Sequence, residues 1–165
     1  MAMNMNYKID EENKTQTFNF LINSIMRVVK SANSRKQKLL SICKLLRENI
    51  QYYDWVGFYI ANESEKELTL GPYMGEPTEH TKISFGRGIC GQAADRKETF
   101  VVQDVSKESN YLSCSPLVKS EIVVPIIKNN KVLGELDIDS HVIEPFTEED
   151  IQFLEDVCSI ITQLF

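Results

Sequence analysis

The sequence predicts an α+β domain built on a mainly antiparallel sheet covered by helices. Two stretches of helical apolar period open the chain. Runs of two-residue period separated by short polar turns follow, and one amphipathic helix closes it. Helices first, hairpins next and a single helix last is not the alternation that builds a parallel sheet.

From Thr17 to Val29, the apolar residues Phe18, Phe20, Leu21, Ile25, Met26 and Val29 recur at three- and four-residue steps. Lys36 to Ile50 repeats the pattern with Leu39, Leu40, Ile42, Cys43, Leu46 and Ile50. Ser31, Asn33 and Ser34 between them supply the break and the cap of the second helix. Trp55 to Ala61 and Glu67 to Tyr73 are aromatic and branched runs parted by Asn-Glu-Ser-Glu-Lys-Glu, which predicts an antiparallel pair. Thr81 to Phe85 is a short extended piece, Gly86 to Gly91 a glycine-rich turn, Gln92 to Arg96 a helical stretch and Thr99 to Val102 a strand. Gln103 to Lys119 reads as a long polar loop, and loops of that length in a compact domain are more often functional than idle. Ser120 to Lys128 and Val132 to Ser140 form a hairpin through Asn129 and Asn130, since asparagine tolerates the positive φ of a tight turn. Thr147 caps a last helix with acids in its first turn and an apolar stripe through Ile151, Leu154, Val157, Cys158, Ile161 and Leu164.

With 165 residues, 42% of them hydrophobic, the chain can bury one core and is too short for two comfortable domains. The expected organisation is an N-terminal tail over 1–16 and a single domain over 17–165. A formal charge of -6 argues against a nucleic-acid surface. The only dense basic run, Arg35 to Lys38, suits a solvated helix face. No apolar run approaches the roughly 18 to 20 residues that cross a bilayer, and the polar N-terminus has no secretory core, so a cytoplasmic protein without membrane contact is expected. Cys43, Cys90, Cys114 and Cys158 make no CxxC pair, and neither His80 nor His141 stands at zinc-ligand spacing to a cysteine; no metal and no cofactor is expected.

Gly86-Arg87-Gly88-Ile89-Cys90-Gly91 satisfies GxGxxG, the phosphate-binding loop of dinucleotide folds. A tight antiparallel hairpin follows instead of the parallel β-α-β unit such a loop requires. The competing reading is a turn that sets Cys90 near a helix N-terminus, where the dipole favours a thiolate. Cys114 lies in Asn110-Tyr111-Leu112-Ser113-Cys114-Ser115-Pro116, a polar loop with no apolar period and an odd place for a cysteine that only packs, although a loop cysteine can also be inert. Cys43 and Cys158 sit on apolar helix stripes and read as core. Alternation puts Asp137 and Asp139 on one strand face. Open to water they form an ordinary surface; under a covering loop they repel, and the raised pKa of one suits a proton donor or an ammonium site.

Asp54-Trp55-Val56-Gly57-Phe58-Tyr59, Leu70-Gly71-Pro72-Tyr73, Gly86-Arg87-Gly88-Ile89-Cys90-Gly91, Ser120-Glu121-Ile122-Val123-Val124-Pro125 and Leu136-Asp137-Ile138-Asp139-Ser140 together resemble the GAF-domain free methionine (R)-sulfoxide reductases, from about Tyr53 to the end of the chain. The resemblance implies a six-stranded antiparallel GAF sheet flanked by helices, with a small pocket under loops. It makes Cys114 the catalytic cysteine and Cys90 the cysteine that can form a disulfide with it. Family members often carry a further cysteine shortly before the glycine loop; His80 stands there in this chain, which leaves Cys90 to resolve the intermediate. The resemblance also implies that Glu121, Asp137 and Asp139 bind the substrate amino group and activate the sulfoxide, that Trp55 packs on the methyl end, and that thioredoxin or a similar dithiol restores the thiols. Dimerisation through the N-terminal helices is typical of GAF domains. The alternative on the same fold is a non-enzymatic sensor that binds a small molecule.

Overall fold

The computed structural model describes residues 11–113 and 115–165. Its elements in chain order are α1 (Glu11–Lys30), α2 (Arg35–Asn49), β1 (Trp55–Asn62), β2 (Glu67–Met74), β3 (Lys82–Ser84), α3 (Gly88–Arg96), β4 (Phe100–Val102), β5 (Ser120–Lys128), β6 (Lys131–Ser140) and α4 (Glu148–Ile161). The strands form one sheet in the order β3-β2-β1-β6-β5-β4, and every pairing in it is antiparallel. That topology removes the dinucleotide reading of the glycine loop, because β4 after α3 pairs antiparallel with β5.

Most boundaries fall where the patterns place them. Ser34 caps α2 with its side chain, and Gln37 reaches back to the Ser34 backbone. Asn129 and Asn130 take φ of 52° and 60°, the two successive positive values a two-residue hairpin turn needs. Two elements depart from expectation. Helix α1 begins at Glu11 rather than Thr17; its first turns are polar and carry no stripe to read, and Lys14 anchors them to Thr147 and Asp150. Helix α3 begins at Gly88, so Cys90 lies inside its first turn and not in a turn before it.

The two sheet faces bury different things. Val56, Phe58, Ile122, Val124, Ile126, Leu136 and Ile138 point from the sheet toward α1, α2 and α4, which bring Leu21, Ile25, Ile42, Leu46, Leu154 and Val157. Phe18 of α1 stacks on Phe153 of α4 with ring centroids 4.1 Å apart. Phe20, Met26 and Leu40, which the helical period also includes, are exposed on the outer side of α1 and α2. A polar network sits in this core. The fully buried Asp150 pairs with Lys14 and accepts from the hydroxyls of Tyr52 at 2.6 Å and Tyr53 at 2.9 Å and from the Thr147 amide at 2.9 Å, tying α1, the α2–β1 connection and α4 together. No helix among the described residues is long and apolar enough to cross a membrane.

The other face is covered by α3 and by the loop after β4, through Ile89, Cys90, Ala93, Tyr111 and Leu112. A register shift between β5 and β6 pairs Ile126 with Gly134 but Ile127 with Val132, so Leu133 is an extra residue. Side chains change face across such a bulge. Because of it, Val132 and the row Glu135, Asp137, Asp139 lie on the same α3-covered face.

Candidate active site

The register of the three central strands assembles the site. Asp139 stands opposite Trp55 of β1 and Glu121 of β5, Asp137 opposite Gly57 and Val123, and Glu135 opposite Tyr59 and Pro125. Glu121, Glu135, Asp137 and Asp139 are all buried. Four carboxyl groups on one covered face are therefore the covered case of the two that the sequence leaves open. Burial raises the Asp137 carboxyl to about 6. It raises Asp139 well above the usual range, with the Asp137 and Asp54 charges adding to the effect. Glu135 is raised by burial first and by Asp137 second. Removing these groups from water penalises their charged forms, so the face holds protons that a reaction can draw on.

Helix α3 drops Cys90 onto this row. Its thiol donates to Glu121 Oε1 at 3.7 Å, and the reactive atoms of Cys90, Glu121 and Asp137 all lie within 4.8 Å of one another. Burial pushes the Cys90 thiol well above its ordinary value, and the charges of Asp137, Glu135 and Glu121 push it further. This corrects the expectation of a dipole-favoured thiolate: a helix terminus supplies a fraction of a charge, and here it competes with desolvation and three carboxylates. Cys90 in this state is a protonated, shielded thiol.

Trp55 forms one wall. Its indole stacks on Tyr73 with centroids 5.3 Å apart and donates from Nε1 to the Glu76 carbonyl at 3.0 Å. The ring lies directly over Gly57, where a Cβ would come within 2.3 Å of it and within 2.8 Å of the Tyr73 Cβ. Only a residue without a side chain leaves the indole flat against the sheet beside Asp137. We expect Gly57→Ala to displace the indole, destabilise the fold by about 1 to 3 kcal/mol and raise KM more than it lowers kcat, as read by denaturant unfolding and steady-state kinetics.

The loop after β4 is tied down next to Cys90. Asn110 accepts from the Gly88 amide at 2.8 Å and donates to the Gly86 carbonyl at 2.8 Å, while Gln92 of α3 donates to the Asn110 carbonyl at 3.1 Å. A Cβ on Gly88 would meet the Leu112 side chain at 2.9 Å. His80 Nε2 donates to the Ser113 carbonyl at 3.0 Å, and the His80 carbonyl in turn accepts from Tyr59 at 2.9 Å. The histidine that stands in a cysteine's place by sequence resemblance is thus a brace for this loop. Cys114, the expected reacting cysteine, lies outside the described residues.

Glu121, Asp137, Asp139, Trp55 and Cys90 are brought together as neighbours. Cys43 and Cys158 are not among them. Both lie in the helix-side core, and burial is the first cause that pushes each thiol above its ordinary value, as the apolar stripes predict. Glu135 is the residue that motif reading missed. Period two from Asp139 through Asp137 reaches it, but a glutamate one step after the Asn-Asn turn and its bulge reads as ordinary hairpin surface.

The pattern of the GAF domain family matches residues 35–164. The chain is 45% identical over 112 residues, 67% of this chain and 62% of the relative, to the free methionine-R-sulfoxide reductase of Saccharomyces cerevisiae. It is 33% identical over 145 residues, 88% of this chain and 86% of the relative, to the free methionine-R-sulfoxide reductase of Escherichia coli. A free methionine-R-sulfoxide reductase from Neisseria meningitidis, solved in complex with its substrate, superposes with a TM-score of 0.86 at 34% identity, covering 92% of this chain and 90% of that one.

Proposed function

This chain belongs to the GAF-domain free methionine-R-sulfoxide reductases, a family of oxidoreductases, and on that premise we propose that it reduces free methionine (R)-sulfoxide with Cys114 as the attacking thiol and Cys90 as its disulfide partner. The observation that carries the reading is the buried row of Glu121, Asp137 and Asp139 beside Cys90 and Trp55. A buried carboxyl that ionises needs a cation beside it, and the α-ammonium of a free amino acid supplies one. The indole beside them offers an apolar wall for the methyl end.

The Cys114 thiolate bonds to the electrophilic sulfoxide sulfur while a buried carboxylic acid of the row protonates the oxygen. Methionine departs, and Cys114 is left as the sulfenic acid. The Cys90 sulfur then bonds to the Cys114 sulfur, the sulfur–oxygen bond breaks, and the hydroxyl leaves with the thiol proton as water. A dithiol such as thioredoxin reopens the bridge by exchange. The closeness of the loop after β4 to α3, through Asn110, supports the pairing. Association through α1 and α2, where Phe20, Met26 and Leu40 are exposed, belongs to the same reading.

A peptide-linked methionine sulfoxide lacks the ammonium and offers the buried carboxyl groups no counter-charge, which is where large discrimination arises. The expected result is rapid turnover of the free (R) epimer, with the (S) epimer and an N-blocked (R) derivative at least about a hundredfold slower in kcat/KM. Equal rates on the blocked compound would sink the assignment.

A further inference from the structure

We propose that Cys90, Glu121 and Asp137 form a binding site for a thiophilic divalent cation, with zinc the fitting metal, inside the pocket assigned to the substrate ammonium. The three donor atoms lie close enough to converge on one ion with small side-chain shifts. Zinc bonds of about 2.3 Å to sulfur and about 2.0 Å to oxygen set a sulfur–oxygen edge of about 3.5 Å. The Cys90 Sγ to Glu121 Oε1 separation is 3.7 Å, and the Asp137 oxygen completes a triangle with no side above 4.8 Å. These donors come from α3, β5 and β6, and all three side chains are buried.

A second observation is a set of buried oxygen atoms that nothing in the fold satisfies. Oδ1 of Asp137 and both carboxyl oxygens of Glu135 are shut off from solvent without a hydrogen-bond partner, and Glu135 faces the same Cys90 thiol. Among the described residues, no lysine or arginine forms an ion pair with Glu135 or Asp137. Buried carboxyl oxygens without a counter-charge lose hydration whenever the group ionises, so burial holds the proton on instead. A divalent ion bonded to Asp137 would compensate that loss, and Glu135 is close enough to the thiol to add a carboxylate to the shell. On binding, the Cys90 sulfur–hydrogen bond breaks, the sulfur bonds to the metal, and its proton leaves to solvent together with any proton held by the ligating carboxyl groups. No redox partner is needed.

The metal site stands on these donors alone. Its effect on turnover rests on the reading above, in which the same carboxylates hold the substrate. Metal and substrate then exclude each other, and a Cys90–Cys114 disulfide would expel the ion.

The test is anaerobic titration of the reduced full chain with cadmium, followed by the ultraviolet thiolate-to-cadmium charge-transfer band, with zinc as competitor. One equivalent of cadmium should develop the band. It should survive Cys114→Ser, vanish in Cys90→Ala and weaken by at least about tenfold in affinity in Asp137→Asn. Circular dichroism of each variant, and retention of the band by Cys43→Ala and Cys158→Ala, separate loss of ligand from loss of fold. Absence of the band in the parent, or its persistence in Cys90→Ala, overturns the site. Cadmium that binds at Cys90 but leaves the KM for methionine sulfoxide unchanged keeps the site and overturns the shared use of the carboxylates.

Discussion

Cys114→Ser should lose turnover by at least about a thousandfold, because a hydroxyl at that position can neither ionise near neutral pH nor take up the sulfoxide oxygen as a sulfenic acid. Cys90→Ser should behave differently. The first methionine should still be released in one equivalent, since that step uses only Cys114 and a proton, and the enzyme should then stall with a trappable sulfenic acid on Cys114 and no second turnover with thioredoxin. Rapid-quench measurement of methionine, together with mass spectrometry of the trapped adduct, reads both variants. The distinction follows from Cys90 being protonated, buried and flanked by Glu121, Glu135 and Asp137: such a thiol is a poor first nucleophile, and it acts once an electrophilic sulfur is brought against it. Unchanged turnover in Cys114→Ser would remove Cys114 from the mechanism, and no turnover in the parent chain would return it to the class of passive GAF binding modules.

Asp150→Ala should be the most destabilising single change away from the site, at about 3 to 5 kcal/mol, measurable as a lower denaturant midpoint at constant slope. The alanine would strand the Lys14 ammonium and two tyrosine hydroxyls in the core and remove the acceptor that holds the Thr147 amide at the start of α4. The loss is a large fraction of the total stability of about 5 to 15 kcal/mol for a single domain. Lys14→Met should cost less, because Asp150 keeps four donors, the hydroxyls of Tyr52, Tyr53 and Thr147 and the Thr147 amide. A loss below about 1 kcal/mol for Asp150→Ala would show that the network contributes specificity and little stability.

Local chemistry in the sequence determined a good part of this protein. Period 3.6 located the helices that bury Leu21, Ile25, Ile42, Leu46, Leu154 and Val157; period two put Asp137 and Asp139 on one face; and the Asn129–Asn130 pair specified the hairpin that joins β5 to β6. These are consequences of backbone dihedrals and side-chain direction, which neighbours along the chain decide. They could not say whether the acidic face was wet or covered. That depended on α3 packing across the sheet and on the bulge at Leu133 that sets the phase of β6.

Only the tertiary structure decided that Cys90 meets Glu121 and Asp137, that Glu135 joins them, and that His80 braces Ser113. It also reversed the expected state of Cys90. From sequence, a helix N-terminus favours the thiolate; in the fold, desolvation and neighbouring carboxylates outweigh that dipole and keep the proton on sulfur. The physical reason is the same in each case: a charge is tuned by everything within a few ångströms of it, and those neighbours come from elements far apart in the chain that only packing brings together.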